Sequence, residues 1–211
     1  LGEAEIGAVA LGNQIYFLLV LYLFGVGSGA SVFTAQFWGR RDIPNIRRSL
    51  GVALSLGLLG GGLFALGGVF FPRLLLSLYS TDPEVLGIGS DYLRIVALSY
   101  LFTAASMTLA NVLRSVGDTR LPLIATGISI ALNSLFNYFL IFGVWIFPEL
   151  GVRGAAISTA VARTLEMGIM LFVIYRRRGP LAASLAELLD FDAPFFRRFL
   201  RRAAPVILNE I

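Results

Sequence analysis

Uncharged, largely apolar residues run unbroken through 6–39, 49–72, 95–113 and 121–148, and almost unbroken through 154–175. A helix needs roughly 20 apolar residues to cross a bilayer's hydrocarbon core, and each block offers about that or more. Inside lipid every backbone N–H and C=O must find a partner within the protein, so spanning elements are helices or a closed barrel. Barrel strands alternate in polarity, whereas residues 15–24 are continuously apolar apart from tyrosine hydroxyls. The pattern therefore predicts an all-α polytopic membrane protein with five full transmembrane helices and the start of another.

Local signals set the expected boundaries. The first helix is predicted over 4–38 and the second over 48–71. The third begins after Thr81-Asp82-Pro83-Glu84, where Asp82 suits the N-cap and Pro83 the first helical position. It is expected to run unbroken to Ser115, with Gly117 closing it in a left-handed conformation. Asp118 or Thr119 then caps a fourth helix ending near 142, and the fifth covers 152–175. Residues 181–189 and 195–200 read as short amphipathic pieces. In the second, Phe195, Phe196, Phe199 and Leu200 oppose Arg197, Arg198, Arg201 and Arg202. That pattern is expected to lie in the headgroup plane, before another helix starts at Pro205.

Charge adds direction. The net charge of +4 comes entirely from arginine, because the chain has no lysine. The first junction holds Arg40, Arg41, Arg47 and Arg48, the third holds Arg114 and Arg120, and seven arginines follow the fifth helix. The alternate junctions hold only Arg73 and Arg153. By the positive-inside rule residue 1 is expected outside a plasma membrane, bacterial or archaeal, and 176–204 in the cytoplasm. An outside start calls for one preceding span, so the chain reads as an excerpt: 1–178 as five spans, 179–204 as a basic linker, and 205–211 as the start of the next helix. No internal repeat is visible. Without Cys or His the chain lacks disulfides, thiolate nucleophiles, imidazole bases and the commonest zinc ligands. Arginines flanking apolar spans point to anionic lipid rather than nucleic acid.

Polar groups inside spans carry the functional information, because each is costly there. Thr126, Ser129, Asn133 and Asn137 recur every three or four residues, on one face of the fourth helix. Thr159 lies about 11 Å into the fifth helix at 1.5 Å per residue, level with Asn133 and Asn137 if the two helices are antiparallel neighbours. Asn13 and Gln14 fall at comparable depth. Such a stripe suits both interhelical hydrogen bonding and a ligand site. Arg163 and Glu166 are three apart near mid-span and are expected to pair structurally with each other; Asp91 and Arg94 read as a second local pair. Gly57, Gly61, Ala65 and Gly68 make a small-residue packing face, and Asn111 is expected to bond locally. Glu210 is the one acid on the last helix and a candidate proton or cation carrier.

The segment Leu1-Gly-Glu with Gly25-Val-Gly-Ser-Gly-Ala-Ser-Val-Phe-Thr-Ala-Gln36-Phe-Trp-Gly39 resembles the multidrug and toxic compound extrusion (MATE) family. So do Leu113-Arg-Ser-Val-Gly-Asp-Thr-Arg-Leu-Pro122, Asn133-Ser-Leu-Phe-Asn137-Tyr-Phe-Leu-Ile-Phe-Gly143 and Leu150-Gly-Val-Arg-Gly-Ala-Ala-Ile-Ser-Thr159. The resemblance covers essentially the whole chain. It implies helices two to six of the N-terminal lobe of a twelve-helix antiporter and the start of helix seven, with the first helix and the C-terminal lobe absent. It implies export of small organic, expectedly cationic compounds in exchange for Na⁺ or H⁺, with no cofactor. Family members often carry an Asn and an Asp four apart on the fifth helix and a hydroxyl on the sixth, positions matched here by Asn133, Asn137 and Thr159. Asn137 departs from that pattern: an amide does not titrate, which leaves the coupling acid to Glu210 or to the absent first helix. A possible Na⁺ would sit at Asn133, Asn137 and Thr159. The rival readings are a lipid-linked sugar flippase, which needs a more cationic cavity, a non-transporting scaffold, and an intramembrane enzyme, for which catalytic groups are missing.

Overall fold

The computed structural model describes residues 2–210, and the side chains of all of these except 202, 203 and 206–210. Among them the regular structure is helical: α1 (Glu3–Gly39), α2 (Ile43–Phe70), α3 (Pro72–Leu76), α4 (Pro83–Ala97), α5 (Tyr100–Ser115), α6 (Arg120–Phe142), α7 (Gly151–Arg177), α8 (Leu185–Leu189) and α9 (Ala193–Glu210). Four of these, α1, α2, α6 and α7, are each long and apolar enough to cross a membrane.

The third predicted helix is not continuous. It breaks into α4 and α5, bent by 52°. Around the break, Leu98 and Ser99 donate their N–H groups three residues back, to Ile95 and Val96, and Ser99 Oγ donates to the Val96 carbonyl at 2.6 Å. A serine hydroxyl competing for a helical carbonyl is a recognised cause of such bends. Hydropathy is blind to it. The start of α4 is as expected, with Asp82 Oδ1 accepting from Glu84 N at 2.9 Å and Pro83 beginning the helix. Gly117 has φ +88°, and Asp118 Oδ1 accepts from Leu121 N to cap α6. The second helix starts five residues earlier than predicted, and α3, begun by Pro72, was not expected.

The chain forms two compact units. Unit 1 comprises 1–19, 61–103 and 127–165. Its buried side chains include Ala8, Ile15, Leu76, Leu93, Val96 and Tyr100. Small residues let neighbours approach closely: a Cβ on Gly68 would meet Ala97 at 2.6 Å, and one on Gly12 would meet the Tyr92 ring at the same distance. Asp91 pairs with Arg153 at 2.6 Å, not with the expected Arg94. The bond links α4 to the start of α7, a proximity that sequence spacing does not encode.

Unit 2 comprises 20–60, 104–126 and 166–211. Its core joins Val26, Ile46, Leu50, Val112, Leu121 and Met170 to Phe195 and Phe199. Phe199 stacks on Phe33 at 5.5 Å between centroids, and Phe195 lies against Phe33 and Phe37. Two residues of the apolar face expected in the headgroup plane, Phe195 and Phe199, thus pack on α1, while Phe196 stacks on Phe191. No helix starts at Pro205 either, since α9 runs through it. Gly57 takes part in close packing as expected, with Thr108 Oγ1 2.9 Å from a notional Cβ, but Gly60 is tighter still, facing the Tyr22 ring. Asn111 bonds locally, accepting from Arg114, and packs over Gly27.

The segment after α7 is held to the start of α2. Arg47 binds both Glu187 and the Pro180 carbonyl, and Arg48 binds Asp190 at 2.6 Å. The Leu188 carbonyl rests on Gly51 so closely that a Cβ there would collide with it. Ser184 and Glu187 form a capping box on α8.

Candidate functional site

Within unit 1 a cavity of about 310 Å³ is walled by α1, α4, α6 and α7. Its polar lining is Asn13 and Tyr16 from α1, Tyr92 from α4, Ser129, Asn133 and Asn137 from α6, and Thr159 and Arg163 from α7. The three- and four-residue spacing on α6 turns Ser129, Asn133 and Asn137 toward α7, and Thr159 and Arg163 repeat the rule from the other side.

The hairpin between α6 and α7 fixes their register. Gly143, at φ +63°, turns the chain against Glu149. Leu150 N then donates to the Leu140 carbonyl at 2.9 Å, and a Cβ on Gly154 would lie 2.5 Å from that same oxygen. The two helices run antiparallel from there, so side chains at equal distance from the turn face each other.

Three polar rungs join them. Asn133 Nδ2 donates to Thr159 Oγ1 at 3.3 Å, while Asn133 Oδ1 accepts from Asn137 Nδ2 at 3.1 Å. Ser129 Oγ donates to the Ala162 carbonyl at 3.0 Å. In unit 2, Thr126 Oγ1 donates to Glu166 Oε1 at 2.7 Å, giving that buried carboxylate a partner on α6. Thr159 Oγ1 in turn donates to Ala155 O. One group is left over: Asn137 Oδ1 is buried without a hydrogen-bond partner. A buried acceptor left unmade costs about 1–3 kcal/mol, so this oxygen is suited to an incoming donor or cation.

Arg163 lies over the Tyr16 ring, 5.8 Å from its centroid, an arrangement worth about 0.5–2 kcal/mol depending on desolvation. The structure therefore brings Asn133, Asn137 and Thr159 together as their spacing suggested, adds Asn13, and leaves Gln14 out of the lining. The Glu210 side chain lies outside the described residues. Sequence reading missed Tyr16 and Tyr92. Gly12 was the available signal: it clears the space that the Tyr92 ring fills, one turn from Tyr16. Among the described residues no cluster of acids suited to a metal ion occurs.

A MatE family model matches residues 1–139. The chain is 26% identical over 213 residues to the probable multidrug resistance protein YoeA of Bacillus subtilis (strain 168), covering 100% of this chain and 46% of the relative. It is 31% identical over 176 residues to the probable multidrug resistance protein NorM of Thermotoga maritima, covering 80% of this chain and 36% of the relative. A solved inward-facing multidrug resistance MATE family transporter of the MOP superfamily superposes with TM-score 0.87 at 19% identity, over 100% of this chain and 47% of its own. The chain thus spans half or less of the length of these proteins. On the family match, the relatives and the shared helical fold together, the chain belongs to the MatE family, a family of membrane transporters and not of enzymes.

Proposed function

We propose that the chain belongs to the N-terminal lobe of a cation-coupled antiporter. In this reading it exports amphipathic organic compounds across the plasma membrane by alternating access. The bent pair α4 and α5 counts as one span, which makes five with α1, α2, α6 and α7. Residue 1 faces outside and the 176–204 segment faces the cytoplasm. Arginine placement supports this orientation: the α1–α2 junction holds Arg40, Arg41, Arg47 and Arg48 and seven arginines follow from Arg176 onward, against Arg73 and Arg153 at the alternate junctions.

The observation that carries the site is the partnerless Asn137 Oδ1 beside Asn133 and Thr159 in the wall of one cavity. Amide and hydroxyl oxygens are hard ligands suited to Na⁺. They supply no formal charge and do not titrate, so the charge that drives exchange resides elsewhere, at Glu210 or in a segment beyond this chain. Rocking of the lobe against a second one would expose the cavity to each side in turn.

The test is ethidium efflux from vesicles containing the complete protein, driven separately by a Na⁺ and by an H⁺ gradient. Efflux under one of them supports the antiporter. No flux under either favours a membrane scaffold. With any cysteine outside this chain replaced, since the chain itself has none, single cysteines introduced at 82 and at 182 report the orientation by their reactivity to an impermeant reagent.

A further inference from the structure

We infer that the exposed face of α9 is a discrete binding site for an anionic phospholipid, its phosphate held by Arg197 and Arg201 and its first methylenes laid on Phe196 and Leu200. The leaflet, cytoplasmic, rests on the orientation proposed above; the site itself rests on α9.

An amphipathic helix that floats in the headgroup plane is anchored by burying its apolar face in lipid. In α9 the centre of that face is already occupied, since Phe195 and Phe199 are buried against Phe33 and Phe37 of α1. What remains is two parallel rows, each with a spacing of four: Phe196 and Leu200, half-buried, and Arg197 and Arg201, exposed. Both rows line one open hollow of about 700 Å³, together with Pro194 and Arg198. A helix fixed in this way is a basic ledge with an apolar border.

The arginines of the ledge differ from those that hold the fold together. Arg47, Arg48, Arg153 and Arg177 each bind a carboxylate. Among the described residues Arg197 and Arg201 have no acidic partner, and Arg198 lies over the Phe195 ring at 6.0 Å. The acids that precede α9 are engaged elsewhere: Asp190 binds Arg48, and Asp192 Oδ1 accepts from Phe195 N at 2.7 Å to cap the helix. Two guanidinium forks one helical turn apart match the oxygens of a phosphodiester.

Depth and the apolar border select a lipid over a soluble phosphate. At 37 residues, α1 is about 55 Å long, well beyond the ~30 Å hydrocarbon core. Phe33 and Phe37 lie about 9 and 3 Å from its Gly39 end, which puts α9 beside the turns of α1 that emerge among headgroups. Anionic headgroups of the cytoplasmic leaflet attract basic segments at that level.

The test counts lipids on the complete protein in a non-ionic detergent by native mass spectrometry. The probes are dioctanoyl-phosphatidylglycerol and dioctanoyl-phosphatidylcholine, and the proteins are wild type, Arg197→Gln/Arg201→Gln and a charge-loss control, Arg73→Gln. Wild type should bind phosphatidylglycerol about tenfold more tightly than phosphatidylcholine. The double variant should lose most of that preference, and Arg73→Gln should keep it. Equal affinity for the two lipids in wild type overturns the site, and so does a folded double variant with undiminished preference. If the double variant does not fold, the single Arg197→Gln and Arg201→Gln variants decide, each expected to lose about threefold. Displacement of phosphatidylglycerol by equimolar glycerol 3-phosphate would make the occupant a soluble phosphate and overturn the lipid assignment. The readout needs no gradient, so the stated preference in a protein without gradient-driven flux would support the site and count against the antiporter.

Discussion

Asn133 and Thr159 tie α6 to α7 across 3.3 Å, and the same asparagine takes the Asn137 amide on its oxygen. One side chain thus positions both of its neighbours. Replacing it by alanine should lower export about tenfold at equal protein level. The structural loss is smaller, because interhelical side-chain bonds in membranes average about 0.6 kcal/mol. Efflux normalised to membrane protein is the measurement, and undiminished export at matched abundance would remove Asn133 from the site.

Asn137→Asp replaces the partnerless carbonyl oxygen with a titratable group in the same place. Flux by the variant should acquire a dependence on external pH in the carboxylate range that the wild type lacks at this position. Efflux rates across a pH series, compared between the two proteins, decide it. Parallel profiles would show that Asn137 is remote from the coupled ion.

Gly51→Ala places a methyl group against the Leu188 carbonyl. Overpacking of this kind costs about 1–3 kcal/mol, and the exposed α8 is the element able to move. Cleavage by a glutamate-specific protease at Glu187 should accelerate severalfold in the variant. Gly87→Ala is the control, since nothing lies within 4 Å of its notional Cβ. Equal cleavage rates in all three proteins would mean that the segment is not seated on α2.

Docking of α8 should also weaken in acid. The Ser184 backbone N–H and hydroxyl, followed by Arg47, hold the Glu187 carboxyl below its ordinary value of 4.5. A carboxylate with a depressed folded-state pKa stabilises in full above the unfolded value and loses that contribution as pH falls through the folded one. Amide protection over 184–190, corrected for intrinsic exchange, should therefore be constant near neutrality and fall below about pH 4.5. Glu187→Gln should flatten the profile, and an unaltered pH dependence in that variant would place the titration elsewhere.

Much of the helical layout was legible because hydropathy and capping are local. Asp82, Pro83, Gly117 and Asp118 each occupy the terminus that their chemistry suits. The polar stripe of α6 was legible for the same reason, since its period is that of a helix. The Ser99 bend was hidden because a serine in an apolar run reads as helix until its hydroxyl is seen to take the Val96 carbonyl. The Asp91–Arg153 pair, 62 residues apart in sequence, and the covering of Phe199 by Phe33 are products of tertiary packing. Arg163 was visible as a charge, but its place in the cavity wall over Tyr16 was not.

The close seat of Gly154 on the Leu140 carbonyl, beside the Gly143 turn, has a bearing on selectivity. A hairpin clamped at its mouth behaves as a caliper with its jaws set. That seat opposes sliding of Asn133 past Thr159, so in the proposed site the wall formed by α6 and α7 is a gauge of constant opening. Any breadth of specificity must come from the parts of the cavity that this clamp does not hold, the α1 and α4 sides carrying Asn13, Tyr16 and Tyr92.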